Sequence, residues 1–185
     1  LQNIPNLTLI EPCDTVQLAS VLHQVKDTYG LHYIRMNRKN ANTVYEEGTE
    51  FQIGKGLVLK EGGDVTIIAS GIMVELSLKA AELLETEGIH ATVIDMFTWK
   101  PLDEELVLAY AEKTGAIVTA ENHRIATGLG SAVANLLSEH QMIPLGRTGV
   151  GNVYGEVGVL PYLLERFEMR PEDIAQKAKQ TIARK

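Results

Sequence analysis

The chain has 185 residues, 24 acidic against 17 basic, for a formal net charge of −7, a balance that argues against a non-specific nucleic-acid binder with its broad basic face. Hydrophobic residues make up 45% and charged residues 22%, the proportions of a soluble globular protein with material for one good core, or for one domain and part of another. The single cysteine, Cys13, excludes an intrachain disulfide framework and a cysteine-rich metal site; with no apolar run near the roughly 18–20 residues of a membrane span and no signal-peptide pattern, a cytoplasmic protein that meets no membrane is expected.

In chain order, Leu7–Ile10 (LTLI) reads as a short buried strand stopped by Pro12. Asp14 and Gln17 have the spacing of a capping box, and the helix they open carries Val16, Leu18, Ala19, Val21, Leu22 and Val25 before Gly30 ends it. His32–Met36 predicts a second strand, which runs into a tip bearing Arg35, Arg38 and Lys39 with no acid among them. Tyr45–Gly56, polar and glycine-bearing, reads as a linker. Val65–Ala69 (VTIIA) has no alternation and predicts a strand buried on both faces. A helix follows from about Val74 to Glu87, closed by Gly88. Ala91–Met96 is the next strand, and Trp99-Lys100-Pro101 reads as a turn packed against the sheet. Asp103, Glu104 and Glu105 place acids at the positive end of a helix reaching Thr114, which Gly115 ends. Ala116–Ala120 is a strand, Gly128–Gly130 opens a helix running from Ser131 to His140, and Pro144–Val150 is a further strand. A short helix (Tyr162–Phe167) precedes a last one with Pro171 at its first position and Ile174, Ala178 and Ile182 buried. Strand–helix alternation with short glycine turns predicts an α/β fold, a parallel sheet flanked by helices. Residues 1–45 are too few to cover a sheet and read as the end of another α/β unit; Leu1 in place of an initiating Met fits a piece of something longer.

The cationic tip is the one credible anion site. Arg offers a planar fork of donors and Lys a point charge, and both suit a phosphate or carboxylate at a strand end; a solvated strand terminus is the competing reading. Gly128-Leu129-Gly130-Ser131 sits where backbone N–H groups can hold an anion, but it lacks the third spaced glycine of a dinucleotide fingerprint, so tight helix–strand packing is the better reading. Glu121-Asn122-His123 lies at a strand's carboxyl end, where open α/β sheets place ligands. His123 with Glu121 can do acid–base work or serve only structure. The five histidines (His23, His32, His90, His123 and His140) show no metal-ligand spacing. Asp14 is explained as a helix cap. No serine nucleophile elbow, P-loop or paired-carboxylate arrangement is present.

Taken jointly, Ile4–Asp14 (IPNLTLIEPCD), Tyr33–Asn40 (YIRMNRKN), Val65–Met73 (VTIIASGIM), Ala91–Pro101 (ATVIDMFTWKP), Val118–His123 (VTAENH), Gly128–Val133 (GLGSAV) and Gly155–Gly158 (GEVG) resemble, in order and along essentially the whole chain, the C-terminal part of transketolase, especially its split form. The resemblance implies a three-layer αβα C-terminal domain with a mostly parallel sheet over residues 57–185. A linker over 46–56 and, over 1–45, the remnant of a pyrimidine-binding domain would precede it. It implies a thiamin-diphosphate-dependent enzyme of the pentose phosphate pathway, with a divalent cation (Mg or Ca), which moves a two-carbon ketol unit between sugar phosphates. Partners would be an N-terminal transketolase subunit or domain, in a homodimer or heterotetramer.

By the same resemblance Arg38, in Arg38-Lys39-Asn40, matches the arginine that binds the sugar phosphate. Arg35, Lys39 and His123 are possible minor contributors. No catalytic, cofactor or metal residue is implied in this chain, which alone is expected to be inactive and to bind no thiamin diphosphate. Ala126-Thr127-Gly128 and Asn152-Val153-Tyr154 depart from the family's pattern in places that bear on packing. 1-Deoxyxylulose-5-phosphate synthase, a 2-oxo acid dehydrogenase β subunit and a non-catalytic subunit-interaction module are the alternatives. The first has its arginine in a Tyr-Pro-Arg-Gly context that Met36-Asn37-Arg38-Lys39 lacks, and the second has no use for Arg38.

Overall fold

A computed structural model describes residues 1–38 and 41–185. The elements are β1 (Leu7–Ile10), α1 (Thr15–Lys26), β2 (Leu31–Ile34), β3 (Leu57–Lys60), β4 (Val65–Ala69), α2 (Met73–Thr86), β5 (Ala91–Asp95) and β6 (Thr98–Lys100). They continue with α3 (Glu104–Thr114), β7 (Ile117–Arg124), α4 (Leu129–His140), β8 (Leu145–Val150), α5 (Leu160–Arg166) and α6 (Pro171–Ile182). No helix is long and apolar enough to cross a membrane among these residues.

The larger sheet has five strands in the order β3-β5-β4-β7-β8. β5, β4, β7 and β8 are parallel, and β3 joins antiparallel at the edge. The expected unbroken burial of Val65–Ala69 holds: every residue of β4 is buried. Its side chains divide between two layers, as a pleated strand requires. Val65, Ile67 and Ala69 join Val74, Ala81 and Leu84 of α2 and Ile174 and Ala178 of α6. Ile68 faces the other way, with Val107 and Ala111 of α3 and Leu129, Val133 and Leu137 of α4. Each fully buried Ile or Leu contributes roughly 1.5–3 kcal/mol, against roughly 0–1 kcal/mol for an exposed ion pair such as Lys79–Glu75. The apolar seams therefore hold the three layers together.

Three features add to the expectations or differ from them. Thr98–Lys100 is a strand and not a turn: β6 pairs antiparallel with β1, and with β2 on the far side makes a second, three-stranded sheet in the order β2-β1-β6. A non-local partner makes this strand, and three residues carry no periodicity of their own. The expected linker over 46–56 is anchored by one buried side chain. Phe51 is buried edge-on against Tyr45 and Phe97, with ring centroids 4.7 and 6.0 Å apart. Finally, Asp14 Oδ1 does accept from the Gln17 N–H at 2.8 Å, but Gln17 does not reach back to complete a capping box. Its side-chain oxygen accepts from Cys13 N and its amide donates to Asp95, 2.7 Å away.

Candidate functional site

The carboxyl end of β2 leads directly into the cationic tip, held there by the Arg35 N–H donating to the Ile10 carbonyl at 2.8 Å. Arg38 lies exposed at the mouth of a groove of about 200 Å³. Pro12, Asp14 and Thr15, around the start of α1, line it together with Met36, Arg38 and Ala41. Among the described residues the Arg38 guanidinium makes no hydrogen bond or ion pair, and its planar fork of donors suits an anion in the groove. Lys39 lies outside the described residues.

Arg35 is placed differently. Its guanidinium donates to Glu11 Oε1 and to Asn122 Oδ1. Glu11, 2% exposed at the end of β1, also accepts from Ser70 Oγ at 2.8 Å, and its Oε2 lies 3.6 Å from His123 Nε2. On the other side of the imidazole, Nδ1 lies 3.0 Å from Glu121 Oε2, and the ring stacks on Trp99 at 4.9 Å. Burial pushes the Glu11 carboxyl up, but His123, Arg35 and Ser70 outweigh that and hold it below the ordinary carboxylate range. Burial pulls the imidazole down, but the flanking carboxylates of Glu11 and Glu121 outweigh it, and His123 is pushed up to about 9. A charged imidazolium between two carboxylates is a poor general base at neutral pH. This cluster thus acts as an ionic bolt joining the ends of β1, β2, β4 and β7.

Glu121 also answers the question raised by Gly128-Leu129-Gly130. Its Oε1 accepts from Gly130 N at 3.0 Å, so a side chain of the protein is the anion at the start of α4. A Cβ at Gly128 would overlap the Glu121 carboxylate and the His123 ring. The glycines are packing residues, as expected.

Behind the groove lies a second buried group. Tyr45 Oη and Gln17 Nε2 each donate to Asp95 Oδ2 at 2.7 Å. Burial, reinforced by the charge of Asp14, pushes Asp95 up to about 7 in spite of these two donors. Burial raises the Cys13 thiol and the Tyr45 phenol as well, and keeps both neutral. Asp14 uses its second oxygen to accept from Val44 N and Tyr45 N at 2.8 and 2.9 Å.

Of the tip residues singled out in the sequence, only Arg38 faces the groove with its charge free among the described residues; Arg35 and His123 meet inside the bolt, and His23 and His140 are exposed on helices. Glu11, Ser70 and Tyr45 carry no mark in the sequence, and Gln17 is marked there only as the partner of a helix cap. A glutamate closing an apolar strand, as in LTLIEP, was the available signal for a buried, paired charge.

Comparison with known proteins agrees with this architecture. Residues 54–174 match the family described as transketolase, C-terminal domain. The chain is 46% identical over its full length to the 6-deoxy-6-sulfo-D-fructose transketolase subunit SqwH of Clostridium sp. (strain MSTE9), covering 58% of it. It is 37% identical over 97% of its length to a 1-deoxy-D-xylulose-5-phosphate synthase of Heliobacterium modesticaldum, covering 28% of that enzyme. A solved split-gene transketolase, described as an inactive β4 tetramer, superposes with a TM-score of 0.94 at 41% identity, over 99% of this chain and 59% of its own. The chain thus spans little more than half of the subunits it matches. With the family's C-terminal domain over most of its length and its mixed three-layer fold, the chain belongs to the transketolase family.

Proposed function

We propose that this chain is the C-terminal part of a transketolase that, assembled with an N-terminal section, moves a two-carbon ketol unit between sugar phosphates, and that Arg38 binds the substrate's anionic end. In this reading residues 1–45 are the end of a pyrimidine-binding domain, 46–56 the connection and 57–185 the C-terminal domain. The observation that carries the proposal is the open guanidinium of Arg38 in its groove at the carboxyl end of β2. A clamp on the non-reacting end converts remote binding energy into orientation of the reacting end.

Members of the family use thiamin diphosphate, which supplies carbanion chemistry when bound. Among the described residues no group of three or more His, Cys, Asp or Glu side chains is placed to hold a metal ion. In this reading the chain's own part is to bind and orient substrate and to support the assembly.

The similarity to a subunit named for a 6-deoxy-6-sulfo sugar favours a second reading of the same groove. A sulfonate also presents a tetrahedral set of acceptor oxygens, and a guanidinium serves either group. Co-expression of the subunit with its N-terminal section and assay with a ketose phosphate donor and an aldose phosphate acceptor tests the proposal. Ketol transfer is expected. A markedly higher kcat/KM with a 6-sulfo ketose selects the second reading, and transfer from neither donor overturns both.

A further inference from the structure

We propose that Asp14 is a positioning residue for the anion-binding tip: one carboxylate oxygen caps α1 while the other holds the return leg of the loop that carries Arg38. The inference rests on the Arg38 reading above and adds to it what fixes the guanidinium in place. The described residues between β2 and Val44 belong to no helix or strand, so side-chain and backbone tethers place them, one of these being Asn42 donating to Glu75 of α2 at 2.9 Å. At the first end the Arg35 N–H bonds to Ile10, and the Arg35 side chain is bolted to Glu11 and Asn122. At the second end Asp14 Oδ2 accepts from both Val44 N and Tyr45 N, and Tyr45 Oη is tied to Asp95.

Helix capping accounts for only half of these bonds. An N-cap needs one acceptor oxygen, and Asn or Ser supplies it as well as Asp. Holding two further backbone N–H groups takes the second oxygen, which only a carboxylate provides at this buried position, 4% exposed. Asp14 also lines the groove that Arg38 lines. The same side chain therefore ties the start of α1, which lines the groove, to the return leg of the loop that carries Arg38. A loop ordered in advance in this way loses less conformational freedom when the anion binds.

The test uses Asp14→Asn in the assembled enzyme, with Asp14→Ser as a second variant should Asn impair folding. Asn keeps an oxygen for the cap but turns an NH2 group toward two N–H donors; Ser keeps the cap and offers nothing to the loop. Amide hydrogen exchange is expected to speed up about tenfold or more at Val44 and Tyr45, with the first turn of α1 unchanged, the scale of one lost charge-assisted hydrogen bond. KM for a phosphorylated ketose is expected to rise by about tenfold, far more than kcat falls. The two changes should also be non-additive with Arg38→Ala, because a tip without its guanidinium gains nothing from being held. Undiminished protection at Val44 and Tyr45, or equal losses on phosphorylated and unphosphorylated donors, overturns the role of Asp14. A silent Arg38→Ala overturns instead the reading on which it rests, so the two failures are distinguishable.

Discussion

At Arg35 the guanidinium is engaged by Glu11 and Asn122, whereas Arg38, further along the same loop, meets only the groove among the described residues. In the sequence these are two arginines of one basic tip. Their difference comes from partners 24 and 87 residues away, which no local pattern reveals. The contrast makes a prediction about stability. Arg35→Ala removes one of the two cations that face the buried Glu11 carboxylate, leaving His123, and should cost about 1.5–3 kcal/mol, the scale of a hydrogen bond to a charged group. Arg38→Ala removes an exposed side chain and should stay within about 0.5 kcal/mol of the parent. Urea unfolding of the two variants checks this, and equal effects would mean that the tip does not divide in this way. Asp14 gives the same lesson in reverse: its spacing to Gln17 revealed the cap, but nothing local announced the bonds to Val44 and Tyr45.

Among the elements, apolar runs and helices stopped by glycine were legible, and β3 and β6 were not. VTIIA announced a strand covered on both faces, and Gly115 a helix end: it sits at φ 64°, the left-handed conformation that glycine adopts without strain. β3 and β6 went unmarked because each exists through a neighbour distant in sequence, β5 for one and β1 for the other. The β7–α4 turn was legible as a glycine-dependent packing site, although not for its reason, the Glu121 carboxylate and His123 ring lying where a side chain would be. Gly128→Ala should therefore destabilise the protein by about 1–3 kcal/mol through overpacking. Gly63, which has nothing within 4 Å of a built Cβ, is the control, and its Ala variant should lie within about 0.5 kcal/mol of the parent. Chemical denaturation midpoints that are the same for both would remove the packing explanation.

For the molecule as a whole, the two buried polar groups set how stability varies with pH. His123 sits at about 9 in the fold against an ordinary 6.5, so its contribution is complete below 6.5 and is lost as pH rises through 9. Asp95 sits at about 7 against 3.8, so the fold holds a proton that the unfolded chain gives up, and stability also declines as pH rises between those values. Glu11 is lowered, and its contribution is present above its ordinary 4.5 and disappears as pH falls below it. Thermal unfolding should therefore show falling stability from pH 6.5 to 9, with His123→Gln flattening that limb; an unchanged slope in the variant would dissociate the imidazole from it. Both groups lie where residues from the first 45 positions meet the five-stranded sheet, so pH acts on the joint that carries the tip. What the whole assembly does with that tip is tested most directly by the KM of Arg38→Ala in the assembled enzyme for phosphorylated donor and acceptor. The account predicts a rise equivalent to about 1.5–3 kcal/mol, the loss of a charge-assisted hydrogen bond; unchanged KM values for both substrates would contradict it.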